Sequence, residues 1–591
     1  MQNQYRVPND NARVWLHTIS YIAKFLLFWV SKDVVSDYHY LTRMKYIITS
    51  ALPYPNGWMH LWHVAGVYLP ADIYTRYMRA SWHDVIHICG TDDHGVALEI
   101  AAKKAWVSTQ DLITRYRKEY QEHMSRIDID FTMFYGTDTP EHEHIAHEFF
   151  HELYTQWVLE EKFSIQPYCN TDQQFLADRY IQWTCYICDT PWAYWDQCEA
   201  CGSMIDSTKL INPVCKICWW SDISNKETKH LYLNLDHFAW ELTQRLETKR
   251  WYRKTNVVTT ALDKWIKDGL HARSITRDIV CGISVPLAWY ELKKLYVRFE
   301  ACLGYISITQ YRANLTWNDR KKYRLDPQTQ LIQFIWKDNI VFHSIIWPAL
   351  LIWHNSTHIN KYILPTVIPA NEFLNLEGKK FSTSRNYAVW LWDITRDFDP
   401  EYVRYYLTTC IPETADSNFY RKEFQLRSND LCDTIWNLVS RLASLHIRYP
   451  DTEQRIDQTL YTMVRSQRIK ISSAFEQFHI RDALYETIQI FKYINQYISD
   501  TKLREHPEYI SSTIWALLHG SALLEPFLPT TAHRIQEIFC GCEIMIHSDH
   551  IWDSAYTPDI LKLDTKPEHI FVKISNEIID QHIQLLWNQN S

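Results

Sequence analysis

Residues 45–63, KYIITSALPYPNGWMHLWH, constrain the fold more than any other stretch. Tyr46, Ile47 and Ile48 form a short aromatic and β-branched run that predicts a strand. Pro53, Pro55, Asn56 and Gly57 then break the chain. Apolar residues resume at Met59, Leu61, Val64 and Val67, a spacing that suits a helix. A strand feeding a helix through a tight turn is a place for phosphate, because N–H groups at a helix start attract anions. His60 and His63 lie three apart and share one face of the first turns, where both could donate to phosphate oxygens. Taken alone, an ordinary surface pair of histidines reads the same way.

A chain of 591 residues allows three or four domains. With 46% hydrophobic and 22% charged residues it is globular and can bury large cores. A formal net charge of -8 excludes a surface that is basic all over, but not local basic patches. Glycine is scarce, at 12 residues against 26 tryptophans. Turns and phosphate loops ordinarily use glycine, so familiar motifs are expected with it replaced. Seven of the 14 cysteines fall between Cys169 and Cys218, mostly as Cys-x-x-Cys pairs. Such pairs suit metal in a reducing compartment, and the cytoplasm is expected. Residues 15–30 are apolar, but too short and too interrupted by His17 and Lys24 for a membrane span. Residues 1–43 are expected to be an N-terminal extension.

From Met44 to about Phe163 strands and helices alternate, with a second strand in DVIHICGTDDHG (84–95) that ends in carboxylates. Functional residues at carboxyl ends of strands are typical of open α/β sheets. Residues 111–160 read as helical, and 338–351 as a further strand and helix. His147-Glu148-Phe149-Phe150-His151 spells the zinc-protease pattern HExxH. A histidine-rich amphipathic helix with Phe149, Phe150 and Leu153 facing inward is the preferred reading. After about residue 420 helical stripes dominate, first Leu431, Ile435, Leu438, Val439 and Leu442, then Leu484, Ile488, Phe491, Ile494 and Ile498. An all-α domain is expected there.

Cys185-x2-Cys188 and Cys198-x2-Cys201 have the spacing of a tetrahedral zinc site. Four thiolates leave no open position for a catalytic water, so a structural knuckle is expected. A second, weaker site pairs Cys215 and Cys218 with Cys169 and Asp172. LEGKKFSTSRN (376–386) sets Lys379 and Lys380 beside three hydroxyls, where lysine could offset charge on a triphosphate.

ALPYPNGWMHLWH, ICGTDDHG, SITRDIVCG, YVRFEACLGYIS, VFHSIIWPA and EGKKFSTSRN occur in the order and near the spacing found in class I aminoacyl-tRNA synthetases. With its cysteine insertion the chain resembles the methionyl-tRNA synthetase family, in the type with two zinc knuckles, from Met44 to about Ala532. The resemblance implies a Rossmann-like α/β catalytic domain in two parts, 44–163 and 236–369, split by a zinc-binding connective insertion, 164–235. A KMSKS-bearing linker domain, 370–425, and an α-helical anticodon-binding domain, 426–591, would follow. His60 and His63 match the HIGH motif and Lys380 the first lysine of KMSKS, so these three would be catalytic and bind ATP. Lys337, Asp338 and Lys379 lie where the family contacts ATP. Leu52, Tyr54, Asp92, Tyr305 and His343 match the methionine pocket, with Asp92 holding the ammonium. Asn437 and Arg441 match anticodon-reading positions, four apart on one helix face. Structural Zn²⁺, ATP with Mg²⁺, L-methionine and tRNA(Met) are the implied cofactors and partners, with no membrane and a monomeric chain.

Departures from the family pattern concentrate near the pockets. Trp62 and Trp336 stand where the family has glycine, Arg298 and Arg504 where it has tryptophan, Glu300 for an aspartate and Thr383 for the second KMSKS lysine. Two readings follow: a methionine–tRNA ligase, or a catalytically impaired relative that binds tRNA or protein.

Overall fold

The computed structural model describes residues 43–176, 180–191, 193–194, 209–248, 255–316, 321–381, 387–450, 457–541, 544 and 560–588. The N-terminal extension, Cys198, Cys201 and Thr383 lie outside the described residues.

Five parallel strands form the central sheet: β1 (Lys45–Ser50), β2 (Asp84–Thr91), β3 (Met133–Gly136), β4 (Gln330–Trp336) and β5 (Ala370–Asn371). Their spatial order is β5-β4-β1-β2-β3. β1 pairs with β2 on one side and β4 on the other. Strand order therefore reverses at β1, and the crevice beyond the carboxyl ends of β1 and β4 is the usual ligand position of such a sheet. Side chains alternate across β1. Ile47 packs with Ile86, Ile88, Ile308 and Leu331 on one face, while Ile48 joins Val85, Cys89, Ile332 and Phe334 on the other.

The helix after β1 starts at Leu61 and runs to Ala80, with one π turn at Val64–Tyr68. Two expectations need correction. The stretch 111–160 is helical only at Thr109–Ser125 and Pro140–Thr155, with β3 between them. Residues 338–351 hold no strand, since β4 ends at Trp336 and helical turns run from Lys337 to Thr357. In both places a short apolar run suited either state, and the sheet partner decided it.

Between β3 and β4, Leu159–Cys169 and Ile223–Leu233 form an eleven-residue antiparallel ladder that carries the cysteine-rich region. After β5, Leu374–Leu376 pairs with Lys379–Lys380 and with Ser417–Phe419 in a small sheet. The helices that follow include Asn437–Arg448, Gln458–Glu476, Ile480–Asp500, Ile510–Leu524 and Pro529–Phe539. Every residue of Ile510–Leu524 is buried, which places that helix at the bundle centre. A buried guanidinium ties bundle to sheet. Arg404 donates to Asp72 at 2.9 Å and to the carbonyls of Ile127, Pro526 and Phe527 at 2.8, 3.0 and 2.8 Å.

Candidate active site

His60 is set by the turn after β1. The Tyr120 hydroxyl donates to the carbonyls of Tyr54 and Gly57 at 2.9 and 2.6 Å, which fixes the loop. The backbone on either side of His60 is bonded to residues 389–391, with Leu61 N–H on Val389 at 3.1 Å and Leu391 N–H on Met59 at 2.9 Å. His60 caps the helix, and its backbone N–H donates to His63 Nδ1 at 3.3 Å. The two imidazoles stack with centroids 3.9 Å apart. Burial, then the neighbouring His63, holds the pKa of His60 well below its usual value, and burial holds His63 at about 4. Both rings are thus neutral at pH 7 and meet an anion as N–H donors. His60 Nδ1 is buried with no hydrogen-bond partner among the described residues.

Positive charge comes from lysines around this pair. Phe381, next to Lys380, stacks on His60 with centroids 5.1 Å apart, which brings this end of the Lys379–Lys380 strand to the helix start. Lys379 and Lys380 are exposed. Lys337 follows β4 directly, with Nζ 2.7 Å from Glu372 and 2.9 Å from Asp416. Asp338 beside it is exposed.

Asp92 follows β2. Its carboxylate is buried, and Oδ1 has no partner among the described residues. Burial, then the carboxylate of Glu300, pushes its pKa well above the usual range. Glu300 itself is fully buried between two imidazoles, accepting from His94 Nδ1 at 2.9 Å and His142 Nε2 at 2.6 Å. Burial opposes its ionisation, but the two histidines override this and hold it below the usual range. For His94 burial acts downward and Glu300 wins, raising it to about 9. Tyr305 Oη lies 2.9 Å from His343 Nε2, and His343 Nδ1 lies 3.0 Å from the Asn339 carbonyl. Burial lowers His343 to about 4, so the ring is neutral: Nδ1–H donates to Asn339 and Nε2 accepts from Tyr305. Leu52 lies against Gly304, where an added Cβ would stand 3.0 Å from Leu52 Cδ1 and 3.1 Å from Thr137. Only glycine permits that approach without displacing a neighbour. Tyr54 is partly exposed at the rim. His94 and His142 were not singled out in sequence as site residues; their partner lies 206 and 158 positions away, so no local pattern marks them.

Trp62 and Trp336 meet over the His pair, with ring centroids 5.8 Å apart. Trp62 also packs edge-on against Phe373 at 5.3 Å, and Trp336 against His63 at 5.8 Å. Arg298 is exposed, with its guanidinium 5.1 Å from the Phe342 ring.

Four predicted features lie on other elements. Cys169, Asp172, Cys215 and Cys218 gather with all ligand atoms within 4.8 Å of one another. Asp172 Oδ2 is 3.1 Å from Cys215 Sγ, and the sulfurs of Cys169 and Cys218 are 3.6 Å apart. Three thiols and one carboxylate at such spacing fit tetrahedral zinc. Cys185 begins a turn like that at Cys215, with Asp189 N–H on the Cys185 carbonyl at 2.9 Å, and Cys188 lies within it. Asn437 and Arg441 are both exposed on helix Asn437–Arg448, opposite its buried Leu438, Val439 and Leu442. His147 bonds the Ser284 carbonyl at 2.9 Å, and no group of three metal-ligating side chains among the described residues contains it or His151. The helix buries Phe149, Phe150 and Leu153 instead.

Comparisons with known proteins add a wider frame. A family model described as tRNA synthetases class I (M) matches residues 46–443. A methionine–tRNA ligase of Flavobacterium johnsoniae is 41% identical over 513 residues, which cover 84% of this chain and 71% of that protein. One from Pyrococcus horikoshii is 39% identical over 518 residues, covering 83% of this chain and 71% of the relative. A crystal structure of Mycobacterium tuberculosis methionyl-tRNA synthetase bound by methionyl-adenylate superposes with a TM-score of 0.72 at 19% identity, covering 89% of this chain and 100% of that one. At that identity the superposition speaks for the fold.

Proposed function

The chain belongs to the methionyl-tRNA synthetases of class I, and from that premise we propose that it activates L-methionine with ATP and transfers the methionyl group to tRNA(Met). The relatives named above are methionine–tRNA ligases, which favours the enzyme over a non-catalytic relative. The observation that carries the reading is convergence. His60, Asp92 and Lys337 leave the carboxyl ends of β1, β2 and β4, three adjacent strands at the point where sheet order reverses.

In this reading the methionine carboxylate attacks the α-phosphate of ATP in line, and pyrophosphate leaves. The ribose hydroxyl at the 3′ end of tRNA then takes the methionyl group from AMP. The first step needs positioning and charge stabilisation more than a general base. His60 and His63 donate N–H bonds to phosphate oxygens at the positive end of the helix. Lys337, Lys379 and Lys380 supply charge, with Mg²⁺ arriving on the nucleotide. Asp92 receives the methionine ammonium, whose charge relieves the cost of burying a carboxylate with one oxygen, Oδ1, unpartnered among the described residues. Leu52, Tyr54, Tyr305 and His343 surround the side chain. Asn437 and Arg441 present an amide and a guanidinium to anticodon bases.

The knuckle of Cys169, Asp172, Cys215 and Cys218 would hold a structural Zn²⁺. Cys185 and Cys188 would hold another with Cys198 and Cys201, which lie outside the described residues. The proposed site of action is the cytoplasm, as a monomer. Among the described residues no helix is long and apolar enough to cross a membrane. Charging of tRNA(Met) with labelled methionine tests the function. Incorporation that depends on ATP and falls in Asp92→Asn is expected; labelling of tRNA with another amino acid in place of methionine would refute it.

A further inference from the structure

Tryptophan outnumbers glycine here by 26 to 12, although glycine is ordinarily among the commonest residues. The backbone marks where glycine is missing. Trp82, Trp106, Trp157, Trp219 and Trp289 have φ of 68°, 55°, 61°, 65° and 73°. Glycine enters this left-handed region freely, whereas the Cβ of a bulky L-residue crowds the following carbonyl.

Three of the five close helices in one way. The Trp82 N–H bonds Arg79 and the next N–H, of His83, bonds Met78, at 3.0 and 3.1 Å. Trp106 and Val107 bond Lys103 and Ala102 at 3.3 and 3.1 Å, and Trp157 and Val158 bond Tyr154 and Leu153 at 3.2 and 3.0 Å. This pair of bonds is the Schellman motif, whose left-handed residue is usually glycine. Gly269, with φ 87°, makes the comparable bond to Ile266 at 3.1 Å. Trp219 turns the loop after Cys218, its N–H on the Cys215 carbonyl at 2.9 Å.

All five indoles are exposed, from 55% at Trp82 to 94% at Trp106. Trp62 and Trp336 differ in being packed, but both stand where the family pattern has glycine, and Trp336 presses on the backbone of Gly66 so closely that a Cβ there would collide with its ring. Trp347 shows the contrast: fully buried, with ordinary helical φ of -59°.

We infer that positions 62, 82, 106, 157, 219, 289 and 336 are glycine positions of the working protein, the triplet taken as tryptophan there being read as glycine by the cell that makes this chain. Trp347 is tryptophan, written with a different triplet. The crevice between β1 and β4 is then open to a nucleotide in the protein as the cell makes it. The inference holds whether or not the chain activates methionine.

Tandem mass spectrometry of protein isolated from its own cells decides it. Peptides covering positions 62, 106, 157 and 336 are expected to carry glycine, and the peptide covering 347 tryptophan. The coding triplets at the seven positions are expected to be identical and to differ from that at 347. Tryptophan found at the four positions, or glycine at 347, overturns the inference.

Discussion

The indoles of Trp62 and Trp336 meet at a tilt of 48° with centroids 5.8 Å apart, one from the first helical turn after β1 and one from the last residue of β4. They occupy the strand-order reversal where the nucleotide of this family is proposed to bind. Replacing both, Trp62→Gly with Trp336→Gly, is expected to lower KM for ATP at least about tenfold, equivalent to about 1.4 kcal/mol. Steady-state exchange kinetics against the chain as written checks this.

Asp92 is held above the usual carboxylate range by burial and Glu300, and only its ionised form attracts an ammonium. Methionine affinity is therefore expected to rise as pH rises through that elevated pKa, by up to about tenfold per unit. Asp92→Asn should lose about 2–3 kcal/mol of methionine binding, in line with a charged hydrogen bond, and lose the pH dependence. Calorimetric titration across pH reads both.

The pair His94–Glu300 couples the pocket to stability. His94 is raised from 6.5 to about 9, so its contribution is complete below pH 6.5 and disappears as pH climbs through about 9. Glu300→Gln removes one partner of a buried ionic cluster and is expected to cost about 3–5 kcal/mol. It should also flatten the fall in stability between neutral pH and pH 9. Denaturant unfolding at a series of pH values measures the two effects together.

Arg404 directs its donors to Asp72 and to four carbonyls, those of Ile127, Asp128, Pro526 and Phe527, while fully buried. Arg404→Ala strips buried carbonyls of their donor and leaves Asp72 with Arg76 as its one charged partner, and is expected to destabilise the chain by about 3–5 kcal/mol. Urea unfolding of the variant checks the figure.

Removal of Cys215 should cost the knuckle its metal. Elemental analysis is expected to find zinc in the purified chain and about one equivalent less in Cys215→Ser, since a tetrahedral site tolerates no missing thiolate. Equal zinc in both chains would remove Cys215 from the ligand set.

The α/β fold was legible in sequence because β1, β2 and their turns are local: an apolar run, a break, then functional side chains. His60, His63 and Asp92 sit within a few residues of those runs. β3 escaped notice since only four residues make it, inside a helical pattern, and the sheet edge supplies its partner. Glu300, His94 and His142 escaped for another reason: hydrogen bonds spanning 158 and 206 positions leave no trace in local spacing. The tryptophans were visible as an odd composition, but only the dihedral angles sort Trp82, Trp106, Trp157, Trp219 and Trp289 from Trp347.

Methionine-dependent exchange of pyrophosphate into ATP tests the central claim most directly, measured on the chain carrying Trp62→Gly and Trp336→Gly. Exchange that requires L-methionine and is lost in Asp92→Asn is the expected result. Exchange that is absent, or that proceeds equally well without methionine, would contradict the assignment of this crevice to methionine activation.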